Sequence, residues 1–152
     1  MDINILNWIN ENLHGSTFFN YLFKYITYLG EWGIMWLVLG IVLLCIPKTR
    51  KEGLLLLIGY CGVAFVGDIV LKHLVNRARP FAENTDFVAF ADSIHLKLPD
   101  SSSFPSGHTA ISMMAATILT LCYGKCGAWA YIPAVLIAFS RLFLCVHYPT
   151  DV

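Results

Sequence analysis

Charged residues are scarce in this chain of 152 amino acids, where they make up only 13% of the sequence. A soluble domain typically has about 25% charged and about 45–50% apolar residues, whereas 57% of this chain is hydrophobic. The basic and acidic residues are equal in number, so the formal net charge is zero. A neutral chain has no general attraction for nucleic acid, which is therefore not expected as a partner. The composition favours a membrane protein over a soluble helical one.

The sequence also lacks the usual patterns of metal and disulfide chemistry. None of the five cysteines belongs to a C-x-x-C pair or has a zinc-ligand spacing with a histidine. The cysteines are expected to act as small apolar packing residues. No cluster of carboxylates is suited to magnesium, so neither a metal ion nor another cofactor is predicted.

Long apolar runs dominate the rest of the sequence. The run from Gly53 to Val75 is long enough to cross a hydrocarbon core of about 30 Å. Other candidate spans are Trp32 to Ile46, Thr109 to Tyr123 and Ala128 to Val146. The chain is therefore predicted to be all-α, a polytopic helical bundle in the cell membrane.

The first 30 residues differ from these runs. Asp2 to Leu13 repeats apolar residues at helical spacing, which predicts a short amphipathic helix in the membrane interface. Thr17 to Leu29 is rich in aromatic residues and has two open interpretations, a second interfacial helix or the start of a first span. We therefore divide the sequence into N-terminal interfacial helices, residues 1–30, and a membrane domain, residues 31–152.

Basic residues in the turns predict the orientation of the bundle. Lys48, Arg50 and Lys51 lie together between the first two long runs, and Lys125 lies between the last two. By the positive-inside rule both turns are cytoplasmic. The opposite ends of the runs then lie at the extracytoplasmic face.

Three short blocks at those opposite ends contain the residue types that phosphate chemistry requires. The blocks are Lys72 with Arg79-Pro80, then Pro105-Ser106-Gly107-His108, then Ser140-Arg141 with His147 and Asp151. Cations can neutralise the oxygens of a transferring phosphoryl group, and a histidine can act as its nucleophile or as the acid for its leaving group. The topology thus collects a complete set of these groups at one membrane surface.

The first block is expected at the end of a helix. Lys72 and Arg79 are seven residues apart, which puts them on one helix face. The proline that follows disfavours helix at Arg79, so the helix is expected to end there. Asp68 lies one turn before Lys72 and is expected to pair with it. Arg77 and His73 are interpreted as side chains that merely reach the lipid headgroups.

The other two blocks carry the histidines. Ser106 is predicted as the N-cap of a helix whose first free N–H groups point at an anion, and Gly107 allows close approach of the backbone. His108 then lies in the first turn, beside the phosphate. His147 and Asp151 are four residues apart and share a face if the chain is helical there. A carboxylate in that position fixes the imidazole tautomer and makes the other ring nitrogen more nucleophilic.

Two parts of the sequence fit neither a span nor a block. Phe81 to Phe104 is the one long polar stretch, and it is interpreted either as a mobile lid over the site or as an ordinary solvated loop. The sequence stops one residue after Asp151. A further span would cover the apolar neighbours of Asp151, so the bundle is expected to lack its last transmembrane helix.

The combined pattern K-x6-R-P, P-S-G-H and S-R-x5-H-x3-D resembles the type 2 phosphatidic acid phosphatase (PAP2) family, in order and in spacing. The resemblance covers roughly residues 30–152 and implies a helical core shared with haloperoxidases. It implies that His147 attacks phosphorus to form a phosphohistidine, that Asp151 orients His147, and that His108 protonates the leaving oxygen. The phosphate would be held without a metal by Lys72, Arg79, Ser106, Gly107 and Arg141.

The resemblance implies an integral-membrane lipid phosphatase or diphosphatase whose site faces the extracytoplasmic side. Its substrate would be of the undecaprenyl diphosphate, phosphatidate or phosphatidylglycerophosphate class. One alternative is a catalytically inactive protein that binds phospholipid headgroups. Vanadate-dependent haloperoxidases share the pattern but are soluble, and a transporter would be expected to have an inverted repeat that is absent here. The sequence indicates no particular oligomeric state.

Overall fold

The computed structural model describes residues 2–152, and within them every regular element is helical. The helices are α1 (Asp2–Leu13), α2 (Thr17–Leu29), α3 (Ile34–Cys45), α4 (Arg50–Ala64), α5 (Lys72–Val75), α6 (Pro80–Glu83), α7 (Thr85–Ser93), α8 (Gly107–Tyr123) and α9 (Tyr131–Phe143). Short 3₁₀ turns lie at Glu31–Gly33, Gly127–Ala130 and Pro149–Asp151, and a π-helical segment at Phe65–Leu71 joins α4 to α5. The predicted all-α fold class is confirmed.

The main core lies between α3, α4, α8 and α9. Glycine allows α3 and α4 to approach closely, because a Cβ on Gly53 would collide with the backbone of Leu44 and Gly40. The Trp36 indole N–H donates a hydrogen bond of 2.9 Å to the Ser112 hydroxyl and so ties α3 to α8. The buried side chains of this core are Trp36, Leu56, Ile111, Ala115, Ala116, Leu119 and Ala134.

Large apolar side chains cover the outside of the bundle. The stretch Arg50–Glu83 is long and apolar enough to cross a membrane. The helical stretches Thr17–Leu29 and Glu31–Cys45 meet at a bend of 41°, and together they also meet this criterion. The apolar stretches Gly107–Tyr123 and Gly127–Phe143 are shorter. The described residues thus contain one candidate span by length and composition, or two if the bent pair is one span.

The helix that carries Lys72 ends earlier than predicted. It stops at Val75, because Asn76 adopts a left-handed conformation with φ of 41°, which asparagine tolerates better than most residues. Arg79 is extended, as expected for a residue before proline, and α6 begins at Pro80. The prediction that Lys72 and Arg79 share one helix face is therefore wrong.

The polar stretch 81–104 is folded rather than an ordinary solvated loop. The Asn84 side chain accepts from the backbone N–H of Asp86 at 2.9 Å and caps α7. Phe87, Phe90 and Ala91 of α7 are buried in two smaller cores that also contain residues after α9. The solvated-loop interpretation is wrong because α7 contributes buried side chains to both of these smaller cores.

The two N-terminal helices pack against α9 and the segment that follows it. Leu6 and Ile9 of α1 are buried beside Cys145 and Tyr148. His14, in the turn between α1 and α2, stacks on a phenylalanine of α7 with ring centroids 3.5 Å apart. Residues 2–30 therefore help to fix the segment that carries the third block. Their place in the membrane interface stays a prediction.

Candidate active site

A cavity of about 380 Å³ lies where the bend after α2, the end of the π-helical segment, the start of α8 and the end of α9 meet. The predicted site residues that line it are Lys72, Arg79, Gly107, His108, Arg141 and His147. The other two, Ser106 and Asp151, are buried and do not line it. The three blocks of the sequence therefore meet at one place in the fold.

His147 faces the cavity in a defined tautomer. Its Nε2 lies 3.3 Å from Arg79 Nη1. A guanidinium nitrogen can only donate a hydrogen bond, so Nε2 is the acceptor and the ring proton lies on Nδ1. Nδ1 lies 3.7 Å from Asp151 Oδ2, longer than a hydrogen bond, and has no partner among the described residues. Asp151 belongs to a 3₁₀ turn, and the two side chains face each other although the chain from His147 to Asp151 is not α-helical. The unshared pair of Nε2 therefore faces Arg79 at the wall of the cavity.

Asp151 is held by donors on both oxygens. Its Oδ1 accepts from Arg77 Nη1 at 2.6 Å, and its Oδ2 accepts from the Ser103 hydroxyl at 2.5 Å and from the Tyr148 backbone N–H at 2.9 Å. Burial opposes the charge on this carboxyl, but the hydrogen bonds and the Arg77 cation prevail and lower its pKa to about 2. Asp151 is therefore ionised throughout the physiological range.

Burial raises the pKa of a carboxyl group but lowers the pKa of an imidazole such as that of His147. It disfavours the imidazolium ion, and the charges of Arg141 and Arg79 act in the same direction, while Asp151 opposes them. The pKa of His147 is lowered to about 4. The imidazole is neutral at physiological pH, which is the form that can attack an electrophile.

Two of the three cations are buried without a carboxylate partner. Arg79 and Arg141 are each 6% exposed, and neither forms an ion pair with any residue in 2–152. Arg79 donates to the Ser101 carbonyl at 2.6 Å and to the Val146 carbonyl at 2.9 Å. Arg141 donates to the Thr27 hydroxyl at 2.5 Å, while its Nε has no partner. Buried charges are normally paired, so this arrangement is suited to a bound anion.

Lys72 supplies the third cation at the more exposed side of the cavity. Its Nζ lies 2.6 Å from Asp68 Oδ1, as the i, i+4 spacing predicts, and 3.5 Å from the Ser101 hydroxyl. Arg79 Nη2 donates to the same hydroxyl at 3.2 Å. Ser101 therefore bridges the two cations of the first block.

The second block forms the start of α8. Ser106 occupies the N-cap position, although its side chain caps no backbone N–H. Its hydroxyl accepts from Thr109 at 3.1 Å, and its backbone N–H donates to the Asp151 carbonyl at 3.0 Å. Gly107 and His108 follow and face the cavity. The start of this helix is thus attached directly to the third block.

Several residues of the site were not predicted. The interpretation of Arg77 as a headgroup-reaching side chain is wrong, because its guanidinium lies between Asp151 and Asp2. The serine run before the second block was the available indication of Ser101 and Ser103. The stretch Gly30–Gly33 also lines the cavity, and only its two glycines indicate a bend there.

A family model of the PAP2 superfamily matches residues 52–152, a range that includes all three blocks. The chain belongs to the PAP2 superfamily. It is 34% identical over 122 residues to an undecaprenyl-diphosphatase from Sulfolobus acidocaldarius. This alignment covers 78% of this chain and 55% of the relative. It is also 34% identical over 131 residues to a decaprenylphosphoryl-5-phosphoribose phosphatase from Mycobacterium tuberculosis, covering 84% and 67%.

A solved PAP2 structure has the same fold. It is the crystal structure of a transmembrane PAP2 type phosphatidylglycerolphosphate phosphatase from Bacillus subtilis, with a TM-score of 0.70 and 27% identity. The match covers 99% of this chain and 74% of that protein. Together with the apolar exterior, this likeness identifies the chain as a membrane protein of the PAP2 superfamily.

Proposed function

We propose that this protein is a metal-independent lipid phosphatase or diphosphatase that works through a phosphohistidine. The observation that carries the proposal is the cavity in which two buried, unpaired guanidinium groups, those of Arg79 and Arg141, lie beside the acceptor nitrogen of His147. A phosphate is the anion that these groups fit, because guanidinium donors match its oxygens and its phosphorus accepts a nucleophile. The names of the relatives, all phosphatases or diphosphatases, support the same class of reaction.

In the first step the unshared pair of His147 Nε2 forms a bond to phosphorus, and the bond from phosphorus to the leaving oxygen breaks. His108 donates its proton to that oxygen as it leaves. Arg79, Arg141 and Lys72 neutralise the oxygens of the transferring group, with the Gly107 N–H as a further donor, while the predicted contact of Ser106 is not made because Ser106 does not line the cavity. Burial and the neighbouring cations disfavour the protonated form of His108, and the negative charge of a bound phosphate opposes both effects and favours that form.

In the second step water attacks the phosphohistidine. His108, now neutral, accepts a proton from the water as the new P–O bond forms and the bond to His147 breaks. Inorganic phosphate leaves, and both histidines return to their starting state. Asp151 stabilises the positive imidazole of His147 during both steps, because its charge faces the Nδ1 hydrogen.

We propose that the substrate is a lipid phosphate of the undecaprenyl diphosphate, phosphatidate or phosphatidylglycerophosphate class. The apolar exterior supports a substrate that stays in the bilayer, and the names of the relatives include prenyl and glycerol lipids. The basic turns support a site on the extracytoplasmic face, because Lys48 and Lys125 lie in turns at the end of the bundle away from the cavity.

The test is phosphate release in detergent with EDTA present, from a prenyl diphosphate, a phosphatidate and a phosphatidylglycerophosphate. We expect release from at least one of them by the unaltered protein and none by His147→Gln. His73→Gln is the matched control, because His73 is exposed and its Nδ1 bonds the Ile69 carbonyl outside the cavity. A strict requirement for magnesium would contradict the metal-free mechanism. Lipid binding without release would favour the alternative, a headgroup-binding protein without catalysis.

A further inference from the structure

We propose that Arg77 is a positioning residue that orients Asp151 toward His147, and that Asp2 of the N-terminal helix holds Arg77 in place. The proposal rests on the proposed function, because it concerns how the nucleophile of that reaction is prepared. The cavity does not include Arg77, so this residue acts through Asp151 rather than on the substrate.

Arg77 and His147 lie nearest to different oxygens of Asp151. Arg77 Nη1 lies 2.6 Å from Oδ1, while the other oxygen, Oδ2, lies 3.7 Å from His147 Nδ1. The Asp151 side chain is fully buried, and the charged or titratable side chains nearest to it are those of Arg77, Arg79 and His147. Of these three side chains, Arg77 is the one that donates a hydrogen bond to Asp151. Loss of this contact leaves Oδ1 without its charged donor and the carboxylate held through Oδ2 alone, so its orientation toward His147 is less well defined.

The backbone of Arg77 is fixed to the loop that supplies the second donor to Asp151. Its N–H donates to the Ser102 hydroxyl at 3.0 Å, and its carbonyl accepts from the Ser103 N–H at 2.9 Å. The Ser103 hydroxyl in turn donates to Asp151 Oδ2. Arg77 and Ser103, the two side-chain donors to the Asp151 carboxylate, are therefore held together by these backbone contacts.

The outer side of the guanidinium is held by the N-terminal helix. Arg77 Nη2 lies 3.0 Å from Asp2 Oδ2, and Nη1 also donates to the Thr150 hydroxyl at 2.7 Å. That hydroxyl donates to Asp2 and closes a ring of contacts. The guanidinium carbon lies 4.1 Å from the centre of the Tyr148 ring, within the range of a cation–π contact. These contacts leave Arg77 little freedom other than the orientation that serves Asp151.

The decisive experiment is a double-mutant cycle on kcat with Arg77→Gln and Asp151→Asn. Loss of a partner that orients a metal-bound histidine typically costs about 10- to 100-fold, and by analogy we expect Arg77→Gln to lower kcat by about that factor with KM nearly unchanged. In the Asp151→Asn background the same change is expected to have almost no further effect, since its partner is already neutral. Arg77→Lys is expected to restore part of the rate, and Asp2→Asn to lower it less than Arg77→Gln does. Arg50→Gln, at the far end of α4, is the matched control.

Losses that multiply in the double mutant would overturn the proposal, because they would show that Arg77 acts independently of Asp151. An unchanged kcat in Arg77→Gln would overturn it as well. If the unaltered protein released no phosphate from any lipid, the proposed function would fail by itself. The inference is then tested by ¹⁵N-histidine NMR in detergent micelles, with the His147 signals assigned by their loss in His147→Gln. We expect the Nδ1–H tautomer in the unaltered protein and a mixture in Arg77→Gln, and identical spectra would overturn the proposal.

Discussion

The backbone N–H of Ser106 donates a hydrogen bond to the backbone carbonyl of Asp151 at 3.0 Å. This single bond joins the start of α8 to the 3₁₀ turn that follows α9, although the two residues are far apart in the sequence. The two histidines that flank the cavity are therefore carried by segments that are connected directly, through main-chain atoms. Substitutions of either histidine side chain leave this connection in place, which makes them informative about chemistry rather than about folding.

Replacement of the proposed nucleophile is expected to abolish turnover. We expect His147→Gln to lower kcat by a factor on the order of 10⁴ or more, as for other groups that form the covalent bond. Protein yield and membrane insertion are expected to be unchanged, because the ring makes only long polar contacts, with Arg79 and Asp151, and borders a cavity. The measurement is phosphate release at equal amounts of folded protein. A rate close to that of the unaltered protein would exclude His147 as the nucleophile.

The effect of replacing His108 is expected to depend on the leaving group. A general acid typically contributes about 10²- to 10⁴-fold, and we expect a loss of that size in His108→Gln for an alkyl phosphate. For an aryl phosphate with an acidic phenol, the leaving oxygen needs no proton and the loss is expected to be much smaller. The measurement is kcat/KM for both esters with both proteins. Equal losses for the two esters would show that His108 is not the acid.

The pH dependence is expected to show a low acid limit. The pKa of His147 is lowered from 6.5 to about 4, so the nucleophile stays neutral until the pH falls toward 4. Asp151 stays charged to lower pH still, since its pKa is lowered to about 2. The unfolded chain binds the histidine proton first, so the folded state loses stability as the pH falls from 6.5 toward 4.

The measurement for this prediction is kcat/KM from about pH 4 to about pH 8, corrected for the second ionisation of the phosphate ester near about pH 6. We expect the corrected acid limb to lie well below the ordinary histidine value of 6.5. A limb at 6.5 or above would show that His147 is not shielded from water in the working protein.

A methyl group at Gly30 is expected to damage the site. A Cβ there would lie 2.6 Å from Ile137 Cγ2 and 2.9 Å from His108 Cδ2, both closer than van der Waals contact. We expect Gly30→Ala to destabilise the protein by about 1–3 kcal/mol through overpacking and to lower kcat by displacing His108. Gly62→Ala is the matched control, because nothing lies within 4 Å of its added Cβ. Thermal unfolding and phosphate release on both variants check this, and equal behaviour would contradict it.

The sequence predicted the convergence of the three blocks because apolar length and turn charge are properties of local segments. The i, i+4 pairing of Asp68 with Lys72 was predicted for the same reason and is confirmed at 2.6 Å. The gathering of Lys72, Arg79, His108, Arg141 and His147 around one cavity follows from the same topology.

The wrong predictions concern contacts between distant segments and residues whose backbone conformation the local sequence does not decide. Arg77 looked like a side chain that reaches the headgroups, and only the fold shows that two carboxylates from opposite ends of the chain meet around it. The helix before Arg77 ends where Asn76 adopts the left-handed conformation. Asparagine tolerates this conformation but does not require it, so the sequence alone did not predict the helix end. In the stretch 81–104 the polar composition concealed the spacing of Phe87, Phe90 and Ala91, which lie on one buried face of α7.

The π-helical segment Phe65–Leu71 has a consequence for how this family can change its sequence length. A π turn contains more residues than an α turn and often results from accommodating one extra residue. Each residue of an α-helix turns the chain by about 100°. Loss of one residue from a regular α-helix would therefore rotate Lys72 by about that angle, whereas a deletion that converts the π turn to an α turn leaves the direction of Lys72 nearly unchanged. The π segment thus allows the helix before the first block to differ by one residue in length without turning Lys72 away from the cavity, a difference that the spacing within the motifs does not record.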